Sequence, residues 1–237
     1  MVSIMTDPND LLDAAAPAAD QSHRAVGRAP VRARRPRKVT AARREEILHA
    51  AMATFGAKGY YNGSLAEVAE QVGMTHAGVL HHFGSKDQLL IEVLEYRDRA
   101  DVENLEGKRT PTGLDLFRHL TATARLNASR PGIVQTYTVL SAESVTDDHP
   151  GKDWFRSRYE VLRTLLAESL ALVCDRSDPP TEAEIGSAAA SILAVMDGLQ
   201  IQWLLDPETV DLAQSTAFAI EAIVAAVVRG HEHPPIL

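Results

Sequence analysis

Cysteine is nearly absent from this sequence, because the chain of 237 residues contains only Cys174. A single cysteine excludes an intrachain disulfide framework and a metal site built from several thiolates. Cys174 lies in an apolar run, which favours a buried structural thiol over a reactive nucleophile. Aromatic residues are also scarce, at 5% against 45% hydrophobic residues. Since β-branched residues do not alternate with polar ones, the composition predicts an all-α protein.

Signals for export, membrane insertion and catalysis are lacking as well. The apolar segment 217–228 is interrupted by Glu221 and is too short to cross a bilayer. Residues 1–20 have no charged start followed by an apolar core, so we expect no secretory signal. We find no phosphate-binding glycine loop, nucleophile elbow or metalloprotease helix. These absences predict a cytoplasmic protein that makes no membrane contact, is not an enzyme and uses no cofactor.

Basic residues are in the minority, since the formal net charge is −8, but they are concentrated in one segment. Residues 24–44 contain nine Arg or Lys and no acidic residue, whereas residues 45–237 are acidic overall. An architectural DNA-packaging protein would be basic throughout. We interpret residues 1–39 as a disordered arm, because they show no apolar periodicity. The arm is either a solvated tail or a contact to DNA phosphates, and its position next to the motif described below favours phosphates.

Residues 64–90 contain the pattern around which the chain is organised. Ser64 and Ser85 each begin an S-x-x-E/Q capping box, which marks the start of a helix. Between these starts, Ala69, Gly73 and Val79 provide a small residue at a helix crossing, a glycine at a sharp turn and an apolar residue on the next helix. This arrangement is a helix-turn-helix, whose second helix enters the major groove of DNA.

The stretch from Arg43 to Arg97 resembles the TetR family of bacterial one-component repressors. The motifs that carry this resemblance are Phe55-x-x-x-Gly59-Tyr60, Val68-Ala69, Gly73-Met74-Thr75, His82-Phe83 and Ser85-Lys86. The sequence departs from the family pattern at Leu80, where a tyrosine is usual, and at Ala77, where a glycine is usual. The resemblance implies a three-helix DNA-binding domain followed by a helical ligand-binding and dimerisation domain.

We therefore expect a basic arm (1–39), a helix-turn-helix domain (40–86), a ligand-binding and dimerisation domain (87–230) and a tail (231–237). The resemblance implies a homodimeric repressor that binds a palindromic operator in double-stranded DNA and is released by a small-molecule effector. The alternative is a helical enzyme or a small-molecule-binding protein without a role on DNA. An enzyme requires convergent titratable groups in a pocket, and the sequence shows no recognisable set.

Direct reading of bases requires side chains at the exposed start of the second helix. These are His76, Ala77 and Gly78, with His81 one turn further on. Thr75 either contacts DNA or serves only as the helix cap. The other residues that we assign to DNA are Ser64, His82, Lys86 and the arm residues Arg34, Arg35, Arg37 and Lys38. The resemblance places His82 near a phosphate.

Two histidine groups raise the question of a metal ion. His81 and His82 are adjacent, so on a helix their side chains point about 100° apart and do not easily share one ion. The sequence His231-Glu232-His233 is a weak chelating pattern in a proline-rich tail. We assign the first pair to DNA and expect no metal at either position.

The last two predicted helices are 181–205, which begins with a capping box of Thr181 and Glu184, and 210–228. Both are apolar on more than one face. A monomer buries one face of each, so the surplus predicts a homodimer seam, as the resemblance also implies. We consider the same seam for the polar residues Asp197, Gln200 and Gln202. The resemblance places a ligand pocket among the middle helices, and plain core is the alternative for its residues. The candidate lining residues are Phe117, His119, Leu120, Tyr137, Trp154, Tyr159, Met196 and Trp203.

Overall fold

The computed structural model describes residues 37–102, 110–175, 177 and 179–229. Throughout these residues the regular secondary structure is helical. The helices are α1 (Arg37–Asn62), α2 (Leu65–Gln71), α3 (His76–Phe83), α4 (Lys86–Val102), α5 (Leu114–Asn127), α6 (Pro131–Glu143), α7 (Lys152–Val173), α8 (Glu182–Leu205) and α9 (Leu212–Arg229). The predicted all-α fold class, with a helix-turn-helix unit before a helical body, is confirmed.

Helix α1 differs from the prediction at its start. It begins at Arg37, ahead of the expected domain start at residue 40, so residues 37–39 of the expected arm are helical. Most of that arm, including Arg34 and Arg35, lies outside the described residues, as does the tail with its His231-Glu232-His233 pattern.

A kink at Gly59 interrupts α1 near its C-terminal end. The backbone there has φ +76° and ψ 175°, a conformation that favours glycine. A Cβ at this position would also overlap the carboxylate of Glu143 on α6. Because the kink frees the Tyr60 amide from the helix, that amide donates to Oε2 of Glu143 at 2.6 Å. The kink therefore ties the end of α1 to the body of the protein.

The helix starts predicted from capping boxes are present. The Ser64 hydroxyl accepts from the Glu67 amide at 3.2 Å, and the Glu67 carboxylate accepts from the Ser64 amide at 3.3 Å. Thr181 and Glu184 form the same reciprocal pair at the start of α8. The Ser85 hydroxyl accepts from the Gln88 amide at 3.1 Å. Each cap satisfies backbone amides that a helix start leaves without intrahelical partners.

We expect Ser64→Ala to lower the free energy of unfolding by about 1 kcal/mol, because it removes the acceptor for the Glu67 amide. Urea unfolding followed by circular dichroism measures this loss. Ser64→Asp is the matched control, since aspartate also caps helices well. A loss of equal size in the control would mean that capping is not what Ser64 contributes.

The largest apolar cluster connects the N-terminal helices to the body. It contains Phe55, Val79 and Leu90 of α1, α3 and α4, together with Leu140 of α6 and Phe155 of α7, all buried. Helix α1 packs extensively along α6. This contact could not be predicted from the sequence, which shows that a face of α1 is apolar without showing what covers it. The predicted domain boundary at residues 86 and 87 falls at the start of α4, whose side chains belong to this shared core.

One helix in the described part of the chain, α8, is long and apolar enough to cross a membrane by length and composition, and 33% of its apolar window is buried. A core helix meets the same criterion. The segment 217–228, which the sequence analysis judged too short to cross a bilayer, lies in the shorter apolar helix α9.

Candidate nucleic-acid interface and ligand cavity

Helices α2 and α3 form the predicted helix-turn-helix. Gly73 has φ +62° at the turn between them, the left-handed conformation for which glycine was predicted. Val68 and Val79 are fully buried and Ala69 is 2% exposed, so the two helices meet over small and β-branched side chains. This packing fixes the direction in which the start of α3 faces.

The start of α3 is exposed where a DNA-reading helix requires it. Thr75, His76, Ala77 and His81 are exposed, and Gly78 is half-buried. The Thr75 hydroxyl accepts from the Gly78 amide at 3.1 Å, so this residue is the N-cap of α3. The structure thus brings these five predicted residues together on one surface, and their contact with DNA remains a prediction.

His82 and Lys86, both assigned to DNA contact, are half-buried. The Nζ atom of Lys86 lies 4.4 Å from the centre of the Tyr60 ring and 3.4 Å from the Tyr61 carbonyl oxygen. Burial lowers the pKa of Lys86, while the charges of Asp87 and Glu143 act in the opposite direction. Lys86 is therefore held against the end of α1.

Two residues of the basic segment make intramolecular contacts. The guanidinium of Arg44 lies 4.2 Å from the centre of the Phe83 ring, donates to the His82 carbonyl and pairs with Glu92. Arg43 pairs with Glu46. Arg44 thereby connects α1 to α3 and α4, a role that a count of charges along the sequence does not show. Arg37 and Lys38 lie in the first turn of α1.

A cavity of about 110 Å³ lies among α4, α5, α6, α7 and α8. Among the predicted pocket residues, those that line it are His119, Leu120, Tyr137, Tyr159 and Met196. Their assignment as ligand contacts remains a prediction, but the structure places all five around one cavity.

The other three predicted pocket residues lie elsewhere. Phe117 is buried in the cluster formed by α5, α7, α8 and α9, and Trp203 is buried against Val134 and Leu212. Trp154 packs on the cluster shared by the N-terminal helices. The sequence did not separate these three from the residues of this cavity, because an aromatic residue at helical spacing signals burial without indicating which interior receives it.

Asp197 and Gln200 line the cavity, which corrects their assignment to a dimer seam. The Tyr159 hydroxyl donates to Oδ2 of Asp197 at 2.5 Å. Burial raises the pKa of Asp197, opposed by this hydrogen bond and by the charges of Arg97 and Arg158. Burial also raises the pKa of Tyr159. Gln202, in contrast, is exposed on α8.

Three charged residues behind and along this wall were not predicted as part of a site. Arg97, Asp98 and Arg158 are 7%, 8% and 8% exposed. Arg158 of α7 pairs with Asp98 of α4, and an amino group of Arg97 lies 3.5 Å from the same carboxylate. The Arg97 guanidinium also stacks 3.9 Å from the centre of the Tyr137 ring. In sequence, Arg97 and Asp98 belong to a charged stretch that has the composition of a solvated helix face.

Potential metal ligands are dispersed. Within residues 37–102, 110–175, 177 and 179–229, no three His, Cys, Asp or Glu side chains cluster in a way that would hold an ion. The rings of His81 and His82 are 5.9 Å apart between centroids. Cys174 is half-buried, and burial raises the pKa of its thiol.

Comparison with known families covers both parts of the chain. The family described as "Bacterial regulatory proteins, tetR family" matches residues 47–93, which include α2 and α3. The family described as "BetI-type transcriptional repressor, C-terminal" matches residues 115–228, which include most of the cavity wall.

Individual proteins are similar over most of the chain. The HTH-type transcriptional regulator BetI 1 of Chromohalobacter salexigens is 25% identical over 81% of this chain and 94% of its own length. The regulator TtgR of Pseudomonas putida is 26% identical over 76% of this chain and 88% of its own.

Solved structures show the same fold. A transcriptional regulator from Rhodococcus has a TM-score of 0.64 at 19% identity, over 81% of this chain and 99% of the other. A complex of SmeT with triclosan has a TM-score of 0.64 at 20% identity, over 83% and 96%. With the helix-turn-helix formed by α2 and α3, these matches show that the chain belongs to the TetR family of bacterial transcriptional regulators.

Proposed function

We propose that this protein is a repressor that binds a palindromic operator as a homodimer and is released when a small molecule enters the cavity. The observation that carries the proposal is the exposed start of α3, held in place by a buried helix-turn-helix core. Side chains at that position reach base edges when a recognition helix lies in the major groove. The names of BetI 1 and TtgR as HTH-type regulators support this role.

Dimerisation is supported by exposed apolar side chains on the last two helices. Ile201 and Leu205 of α8 are 47% and 81% exposed, and Phe218 of α9 is 76% exposed. Large apolar residues concentrated on two packed helices mark a contact surface. A second copy of the chain covers them in our proposal, because two-fold symmetry would also place two α3 helices on the two halves of a palindrome.

Helix α4 connects the two candidate sites. It begins at Lys86 beside the helix-turn-helix and carries Arg97 on the cavity wall. A continuous helix transmits displacement over its length, so an occupant that shifts one end of α4 would also shift the head. The triclosan complex shows that SmeT, a protein of similar fold, binds a small molecule. In our proposal, a small molecule that enters the cavity of this chain shifts α4 and thereby releases the protein from DNA.

The assignment of roles at the head predicts two different effects. We expect His76→Ala to weaken binding to the preferred operator by about 1–3 kcal/mol and to relax base preference at one position. We expect Lys86→Ala to weaken all DNA sequences alike and to reduce the salt slope by about one. Titrations at several salt concentrations, with operator and scrambled duplexes, separate the two.

Arg118→Ala is the matched control, since it removes one exposed positive charge from α5 in the body. It should leave both affinity and salt slope unchanged. Should Lys86→Ala alter base preference while His76→Ala does not, the two roles would be reversed. Wild-type protein that fails to distinguish any operator from scrambled DNA would refute the proposed function.

A further inference from the structure

The cavity wall contains buried cationic groups that the proposed function does not yet use. Arg97 and Arg158 both line the cavity and are less than 9% exposed. A guanidinium presents a planar fork of donors that matches a carboxylate. Because these side chains are buried, the attraction between such a group and an anion is stronger than it would be in water.

Asp98, the counter-ion of Arg158, has a second cationic neighbour. Asp98 pairs with Arg158, but an amino group of Arg97 also lies 3.5 Å from the Asp98 carboxylate. Asp98 is not part of the cavity wall, whereas Arg158 is. If an incoming anion pairs with Arg158, the Asp98 carboxylate still has the guanidinium of Arg97 beside it, so no buried carboxylate is left without a counter-ion. Arg158 can therefore exchange Asp98 for a ligand without leaving the Asp98 carboxylate unpaired.

Gln200 provides a second and independent indication of an occupant. Its side chain lines the cavity and is 4% exposed, and its amide oxygen has no hydrogen-bond partner in the described structure. Nearly all buried polar atoms in folded proteins are satisfied, so an unpartnered one on a cavity wall marks a place where a ligand or water binds. The unpartnered atom is an acceptor, so a water or an N–H or O–H group of an occupant would satisfy it, whereas the NH2 group of the same side chain can donate to an anionic oxygen.

The remaining wall accommodates an apolar tail. Leu116, Leu120, Leu162, Leu165 and Leu193 line the cavity together with the polar residues. A cavity of about 150 Å³ is large enough for benzene. At about 110 Å³, this one fits a molecule with on the order of six non-hydrogen atoms.

We propose that the cavity binds a small organic monoanion, a carboxylate with a short apolar tail, which takes Arg158 from Asp98. This inference rests on the proposed function and adds to it the class of effector. Because Asp98 is on α4 and Arg158 is on α7, the exchange removes an ion pair that connects the helix of the DNA-binding head to the body. In this proposal, binding of the ligand at Arg158 is coupled to release of DNA because it breaks the ion pair between α4 and α7.

Asp197 is the feature of the wall that would favour the opposite ligand, a cation. Its carboxylate lies on the cavity surface, but it is half-buried and already accepts a hydrogen bond from Tyr159. The experiment therefore compares charges directly. Its probes are butyrate, butyramide and butylammonium, which have similar size and shape but are anionic, neutral and cationic.

Binding is measured by calorimetry and thermal shift with full-length protein, and release of DNA by gel shift. We expect butyrate to bind at least about tenfold more tightly than butyramide and butylammonium, the effect of one charge-assisted interaction. Arg158→Met should remove this preference, whereas Asp197→Asn should leave it intact. Arg158→Lys, which keeps the charge but loses the planar fork, should retain part of it.

Tighter binding of butylammonium, lost in Asp197→Asn, would overturn the inference, as would equal binding of the three probes. The comparison of the three probes on the wild-type protein tests the charge preference even if Arg158→Met fails to fold. Failure of the proposed function looks different, since it would appear as absence of operator binding before any probe is added. Operator binding that responds to neutral or cationic molecules alone would leave the repressor proposal in place and refute the anionic effector.

Discussion

Placing charges at Ile201 and Phe218 is expected to lower affinity for a two-half-site operator by at least about a hundredfold. The double variant Ile201→Glu with Phe218→Glu would bury four carboxylates in the proposed homodimer contact and separate the subunits. Each head then loses the effective concentration that its partner provides, which contributes about 10²- to 10⁴-fold in bivalent binding. Analytical ultracentrifugation measures the subunit state, and gel-shift titration measures the affinity.

The positions are chosen so that the subunit itself stays folded. Ile223, an obvious candidate from the apolar pattern of α9, is half-buried against the cluster of α5, α7 and α8, so a charge there would damage the subunit as well. Ile201 and Phe218 are 47% and 76% exposed. Val145→Glu is the control, because Val145 is a 78% exposed apolar residue outside α8 and α9. A monomeric variant that still bound the palindrome tightly would contradict the prediction, and a dimeric one would place the seam elsewhere.

The second large effect concerns stability. We expect Asp98→Leu to lower the free energy of unfolding by about 3–5 kcal/mol, because it removes the carboxylate that the buried guanidiniums of Arg158 and Arg97 share. Guanidinium chloride unfolding measures the change. The matched control is Asp115→Leu, which removes a carboxylate from the exposed Arg118–Asp115 pair and should cost less than about 1 kcal/mol.

A second variant tests the cause of that loss. Adding Arg158→Met to Asp98→Leu removes the buried charge that the first change left behind, so part of the stability should return. If Asp98→Leu were no more destabilising than Asp115→Leu, the ion pair would not hold α4 to α7. If the double variant were as unstable as the sum of the single ones, lost packing would be the cause instead of an uncompensated charge.

The parts of this protein that the sequence predicted well depend on interactions over a few residues. Ser64 and Thr181 begin helices because their hydroxyls accept from an amide three residues later. Gly73 makes the turn because its own backbone conformation requires the absence of a Cβ. Such features depend only on residues that are close together in the sequence, so the sequence alone predicts them. The helix-turn-helix and the exposed start of α3 followed directly from them.

The cavity was predicted only in part, because its wall combines residues far apart in the chain. Tyr137 and Tyr159 lie on it, but Phe117 and Trp203, equally aromatic and equally periodic, lie in separate cores. Asp197 was considered for a dimer seam because a polar residue in an apolar helix indicates a special environment without identifying it. Only the packing of α7 against α8, which brings Tyr159 to Asp197, shows what that environment is.

The sequence by itself determined that the chain is helical, where its reading helix begins, and that its last two helices have more apolar surface than one chain buries. The tertiary structure alone decided that Arg97 and Asp98, which have the pattern of a solvated helix face, are buried beside a cavity. The physical reason is that periodicity records whether a face is buried, whereas charge pairing depends on a partner from another helix. Here that partner is Arg158, on α7, and it meets Asp98 only when the chain is folded.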